Sequence, residues 1–151
     1  MSIPVVDLAD FLSGDSDKKT SFVKALGEAY ETVGFVAVKN HGIPDALIAA
    51  QYDQVQQFFS LPLDKKLKYE IEGLAGQRGY TSFGREHAKG SEAPDLKEFF
   101  QYGQTVPSDH PLKWEYPDNV AVDEIVTLNN TLLEAYRNFE KSGKALLQAI
   151  A

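Results

Sequence analysis

The stretch Gly34-Phe35-Val36-Ala37-Val38-Lys39-Asn40-His41-Gly42-Ile43-Pro44 reads as one buried strand followed by one tight turn. Phe35 to Val38 is a short apolar run of β-formers, flanked on both sides by longer segments with helical periodicity, which is the pattern of a core strand between two helices. Gly34 is placed to end the first of those helices. Asn40-His41-Gly42 carries turn chemistry, and Pro44, whose φ is already fixed, suits the first position of the next helix.

Working backward, Phe22, Val23, Leu26, Tyr30 and Val33 recur at helical spacing and predict one core-facing stripe, after a loop of capping residues at Ser13 to Asp17. Ile3 to Leu8, with a proline at its start, predicts an edge or early strand, with Asp7 as a cap for the next element. Working forward, a helix from Pro44 carries Leu47, Ile48, Val55, Phe58 and Phe59 on one side and stops before Pro62, which opens a short helix to about Tyr69. From about Glu70 to Asp118 the periodicity is lost. One or two short strands are expected there, for example around Glu98 to Tyr102, and Tyr80, Phe83, Phe99, Phe100, Tyr102 and Trp114 predict an ordered region. A third helical pattern fills Ala121 to Ala151, with Val122, Ile125, Leu132, Tyr136, Phe139 and Leu146 on it. It lacks the usual stop signals, so the end reads as a cut.

A chain of 151 residues with 43% hydrophobic content can build one ordinary core. The net charge of -7 argues against a nucleic-acid footprint, and the one basic run, Lys65-Lys66-x-Lys68, reads as a solvated helix face among Asp64, Glu70 and Glu72. The absence of cysteine excludes disulfides, thiol catalysis and thiolate metal sites, and fits a reducing compartment. Neither a membrane-length apolar window nor a secretory signal is present, so a cytoplasmic protein is expected.

Taken together, Ile3-Pro4-Val5-Val6-Asp7-Leu8, the Gly34 to Gly42 stretch, Phe58-Phe59-Ser60-Leu61-Pro62 with Lys65-Lys66, and the later Gly79-Tyr80 resemble the N-terminal region of the isopenicillin N synthase-like oxygenases, which depend on iron(II) and 2-oxoglutarate. Val36 stands where that family has a second Phe. The resemblance covers roughly residues 2 to 151. It implies an α+β, helix-rich region that packs against a double-stranded β-helix, or jelly roll, and walls one side of the substrate entrance. Residues 1–118 would be the N-terminal region, strand-helix-strand-helix and then a long loop. Residues 119–151 would be a helix leading into a catalytic jelly roll largely absent from this chain.

That family holds iron with His-x-Asp and a later His, and pairs 2-oxoglutarate with Arg-x-Ser. Here Ile43, Lys89 and Leu112 stand two places after His41, His87 and His110, and Tyr80, His87 and Phe139 stand two places after Arg78, Arg85 and Arg137. No residue of this chain is therefore expected to be catalytic or to bind metal or cofactor. The whole protein would use Fe(II) and 2-oxoglutarate to hydroxylate, desaturate or cyclise a small molecule, its partner being its own C-terminal catalytic domain. Arg78, Tyr80, Thr81 and Ser82 are the candidate substrate contacts: glycines at 76 and 79 frame a cation, followed by an aromatic and two hydroxyls on a loop. An ordinary exposed arginine beside a structural turn is the competing reading of Arg78. His41 reads as a turn residue bonded to nearby backbone, and His87 and His110 as surface loop residues. Lys97 and Glu98, in Asp95-Leu96-Lys97-Glu98-Phe99-Phe100, read as structural residues that pair across an element or with the missing half, and Asp15/Asp17 and Asp123/Glu124 as helix-start acids. Two rival readings stay open, a stand-alone binding or interaction module and one half of a split enzyme.

Overall fold

Asp7 is where the first strand stops and the first helix starts. In the computed structural model, which describes residues 2–87, 89–90 and 93–151, strand β1 (Val5–Asp7) leads directly into helix α1 (Leu8–Leu12). The Asp7 carboxylate accepts a hydrogen bond from the Ala9 amide at 3.0 Å and so caps α1. Its other oxygen accepts from the Asn40 side chain at 2.8 Å, and the Lys39 ammonium lies 3.3 Å away. The Asn40 amide is the largest influence on this carboxyl and holds it below its ordinary range. Two sequence motifs far apart in the chain are thus joined by one acid.

Helix α2 (Ser16–Thr32) begins at the cap Asp15, which accepts from the Asp17 and Lys18 amides, and ends where Gly34 takes a φ of +81°. Strand β2 (Ala37–Lys39) then pairs parallel with β1, Val6 opposite Val38. The buried strand expected over Phe35 to Val38 is corrected: Phe35 is 69% exposed, and only Val36 and Val38 are half-buried. A two-stranded sheet covered on one face buries only alternate residues. The predicted stripe of α2 also shifts, since Phe22, Leu26 and Ala29 are buried while Val23 and Tyr30 are exposed. Ala29, small enough to escape a count of large apolar residues, takes the place expected for Tyr30.

The chain folds as two compact units, Met1–Pro44 with Arg137–Ala151, and Asp45–Tyr136. In the first, Val6, Leu8, Phe11, Phe22 and Leu26 form a core with Ala145 and Ala149, and Ser142 donates to the His41 carbonyl at 2.6 Å. The second contains helices α3 (Asp45–Phe59) and α4 (Leu63–Lys66), a 3₁₀ turn (Leu67–Tyr69), the antiparallel pair β3 (Gly79–Thr81) and β4 (Phe99–Gln101), and a second 3₁₀ turn (Lys113–Glu115). Helix α5 (Leu128–Ile150) contributes to both units, its residues through Tyr136 to the second and from Arg137 to the first. It starts later than the pattern from Ala121 suggests. Val122 and Ile125 are buried, but from turns that precede the helix.

The core of the second unit is built on Phe58, whose ring meets Phe100 at 4.8 Å, Phe59 at 5.4 Å, Tyr80 at 5.8 Å and Tyr69 at 6.1 Å. Edge-on packing of this kind adds to area burial. The aromatics of the irregular region divide: Tyr80 is core, whereas Phe83 and Trp114 are exposed.

Gly79 fixes where β3 can lie. It has a φ of +76°, and a Cβ there would overlap the Tyr69 backbone carbonyl and come within 3.0 Å of Val120. Gly79→Ala is expected to lower stability by at least about 2 kcal/mol, from left-handed strain plus backbone overlap. Gly27→Ala and Gly143→Ala, in helices with open space around the new methyl, should be neutral or gain about 0.5–1 kcal/mol. Urea unfolding midpoints of the three variants check the contrast.

Candidate functional site

The segment from Glu70 to Thr81 reaches β3 through successive turns, with the Gln77 amide donating to the Leu74 carbonyl at 2.9 Å. Ala75 takes a φ of +48°, a left-handed value a non-glycine residue rarely adopts. The four candidate residues come next along the chain, and the structure gives them different surroundings.

Tyr80 is 1% exposed, and its hydroxyl donates to the Glu98 carboxylate. Lys66 reaches the same carboxylate, its ammonium 2.7 and 3.0 Å from the two oxygens and 3.3 Å from the Phe59 carbonyl. That ammonium also lies 5.6 Å from the Tyr80 ring centroid. Lys66 is only 7% exposed, which corrects the reading of Lys65-Lys66-x-Lys68 as a solvated face. Burial pushes Glu98 up, but the Lys66 ammonium and the Tyr80 hydroxyl outweigh it and hold the carboxyl below its ordinary value. Burial raises Tyr80 strongly, and the Glu98 charge adds to it. Tyr80 therefore stays a neutral donor at any physiological pH.

Thr81 is 6% exposed, and its Oγ1 has no hydrogen-bond partner among the described residues. It sits 2.9 Å from the place a Cβ on Gly76 would occupy. Tyr80 and Thr81 line a cavity of about 510 Å³ shared with Glu70, Glu72, Arg85 and Glu86. In it Arg85 is already paired with Glu70 at 2.7 Å. Ser82 is half-buried.

Arg78 does not line that cavity. Its guanidinium fills the space where a side chain at position 103 would be, and Gly103 leaves that space open. One Nη donates to the Gln77 carbonyl at 2.7 Å, while Nε is buried without a partner among the described residues. Gly103 itself is clamped by Asn119, which accepts from its amide at 2.8 Å and donates to its carbonyl at 2.7 Å. The sequence points to Arg78 but not to Lys66, Gly103 or Asn119. Glu98 stands out through its motif, and it pairs across elements with Lys66, while Lys97 pairs with Glu86 and Asp95.

Iron has no fitting donor set among these groups: no cluster of three or more His, Asp or Glu that could hold a metal occurs among the described residues. His41 Nδ1 accepts from the Ile43 amide at 3.1 Å and His110 Nδ1 from the Leu112 amide at 3.2 Å, so both close turns. Asp15 and Asp17 open α2 as expected, whereas Glu124, in a turn, accepts from the Tyr69 hydroxyl. Among the described residues no helix is long and apolar enough to cross a membrane.

Residues 3–124 match the family model for the N-terminal region of non-haem dioxygenases, described from morphine synthesis. The chain belongs to that family. Among curated proteins it is 31% identical over 108 residues to the 2-oxoglutarate-Fe(II) type oxidoreductase hxnY of Emericella nidulans, covering 72% of this chain and 31% of that one. It is 34% identical over 129 residues to the proline hydroxylase buaE of Petromyces alliaceus, covering 82% and 38%. Among solved structures, a 2OG-Fe(II) oxygenase family protein from Caulobacter crescentus superposes with a TM-score of 0.83 at 32% identity, covering 99% of this chain and 48% of that one. A full-length Neurospora crassa protein solved in complex with alpha-KG gives 0.77 at 29%, covering 99% and 46%. The chain thus spans about a third of the curated relatives it matches and about half of the solved ones.

Acid should find the Lys66 ion pair. A carboxyl held low by its partner contributes stability above its unfolded value, near 4.5, and loses it as pH falls through the folded value. Lys66→Met leaves the half-buried Glu98 carboxylate with the Tyr80 hydroxyl but no cation, at a cost of about 1–3 kcal/mol near neutrality. It also reverses the sign, since without the ammonium desolvation raises the carboxyl and the variant regains stability as that group protonates. Thermal melts of both proteins between about pH 3 and 7 should therefore converge toward the acid end.

Proposed function

We propose that this chain is the substrate-facing N-terminal part of an oxygenase that hydroxylates, desaturates or cyclises a small molecule with iron(II) and 2-oxoglutarate. The observation that carries this reading is the superposition of 99% of the chain on 2OG-Fe(II) oxygenases at about 30% identity. When bound, iron and 2-oxoglutarate supply an oxidising centre from dioxygen. The residues that hold them lie, on this reading, in a jelly-roll domain C-terminal to residue 151, carrying His-x-Asp, a later His and Arg-x-Ser. Residues 119–151 lead into that domain, and the present chain contributes binding and positioning.

Two features support the assignment. The β1–β2 pair has its inner face on the core, while Ile3, Val5 and Phe35 are exposed, and parallel strands are ordinarily covered on both faces. The proposed cover is a catalytic domain in the part of the protein that corresponds to the half of the solved relatives this chain does not span. Arg78 is the second feature. It is half-buried and forms no ion pair among the described residues, whereas Arg85, Lys66, Lys97 and Lys113 each hold a carboxylate. A cation so placed suits an anionic group on the substrate. Arg78, Thr81 and Ser82 are assigned to substrate contact, with Tyr80 anchoring the strand that presents them.

The test is 2-oxoglutarate turnover by the complete enzyme, followed as succinate, against a panel of small carboxylic acids and their amides. Turnover should require iron(II) and be stimulated by an acid more than by its amide. Arg78→Ala should raise KM for that acid at least about tenfold, a loss of about 1.4 kcal/mol, with kcat little changed. Iron-independent turnover, or none with any partner domain, contradicts the enzyme assignment. An unchanged KM in the variant removes Arg78 from the substrate site.

A further inference from the structure

We infer that Gly103 and Asn119 are positioning residues that hold the Arg78 guanidinium as a preset receptor for a carboxylate or similar oxyanion. This deepens the proposed function and rests on its assignment of Arg78 to the substrate.

The inference comes from how an arginine can be held. Its side chain carries substantial rotamer freedom, so an exposed arginine gives up entropy when it grips a ligand, and a receptor fixed in advance does not. Arg78 is fixed without a carboxylate. Its guanidinium lies on Gly103, where Cζ, Nη2 and Nε all crowd the site of an absent Cβ. Among the described residues, a single hydrogen bond to the Gln77 carbonyl orients one Nη, and the buried Nε makes none. The charge is held in place but left uncompensated, which costs stability and is offset only if an anion arrives.

Gly103 can serve as the seat only if its backbone stays still. It is buried and lies just past β4, where the strand ladder no longer pairs it. Asn119 replaces the missing strand, taking both the amide and the carbonyl of Gly103 with its own side-chain amide. Position 103 does not have the left-handed φ that would require glycine. The backbone would accept alanine, so what excludes a side chain there is the guanidinium itself. Gly103→Ala is for that reason a clean probe: it evicts Arg78 without straining the chain.

The experiment follows the Arg78 Nε–H resonance of the ¹⁵N-labelled protein, assigned by its loss in Arg78→Lys. In the wild type this proton should exchange slowly with water. Titration with acetate should shift it saturably, while acetamide, of the same shape and uncharged, should not. Gly103→Ala and Asn119→Ala should each speed its exchange and weaken the acetate response at least about tenfold, with melting temperatures showing the fold retained. Should either variant unfold, Gly103→Ser and Asn119→Asp provide the same comparison, the aspartate turning the donor to the Gly103 carbonyl into an acceptor. Slow exchange and an acetate shift that survive in the variants overturn the positioning role, and a wild-type resonance indifferent to acetate overturns the receptor. Both outcomes are separable from the turnover assay, since Arg78→Ala could alter KM while Gly103 has no part in it.

Discussion

Glu98 is the acid on which the second unit depends. Three elements converge on its carboxylate: α4 through the Lys66 ammonium, β3 through the Tyr80 hydroxyl, and β4 through Glu98's own place just before the strand. A buried ion pair gives little net stability in general, because desolvation consumes most of the attraction. Its value here is in specificity. Lys66 also donates to the Phe59 carbonyl, where α3 ends, so a single ammonium marks where two helices and a hairpin must meet. An apolar substitute could fill the volume but would leave the strand register to packing alone. The register sets Tyr80 opposite Phe100, and with it the position of Arg78 immediately before the strand.

The same economy holds in the first unit, where Asp7 caps α1 and receives Asn40 from the end of β2. Asp7 and Glu98 differ in setting. Asp7 is the more solvated of the two, its Lys39 partner largely exposed, and it works through directed hydrogen bonds that water weakens only in part. Glu98 is the more shielded, and it is held by the Lys66 charge together with the neutral Tyr80 hydroxyl. In both, one carboxylate joins segments that the sequence separates by more than thirty residues.

Much of this is legible in the sequence where the signal is local. Caps at Asp7 and Asp15, the stop at Gly34, the break at Pro62 and the strand near Glu98 all arise from residues acting on their own backbone. The departures share another cause. Phe35 reads as buried because apolar runs are usually covered by the same chain, yet here the outer face of the strand pair is left open. Lys66 reads as solvated because its neighbours in sequence are charged, while its partner lies 32 residues away. Asn119 carries no local signal whatever, since an asparagine that mimics a strand looks like any loop asparagine. The candidate substrate residues are legible only as a segment, and the structure separates them, Arg78 against Gly103 and Thr81 against Gly76.

That separation bears on how such a segment divides its work. Along β3, Tyr80 is sunk into the unit and cannot adapt to a ligand without disturbing Phe58 or Glu98. Arg78 and Ser82, which flank the strand, are half-buried and free of the core's aromatic contacts. A scaffold that must present different groups to different small molecules gains from this arrangement. The invariant geometry is carried by the strand interior, and the residues at its two ends can change chemistry without altering the fold. A seat such as Gly103 extends the principle, because it fixes a long, flexible cation from outside the strand, through backbone that a side-chain amide completes. Changing the ligand charge would then require changes at two positions together: the arginine would be lost, and a side chain at 103 would fill the space it leaves.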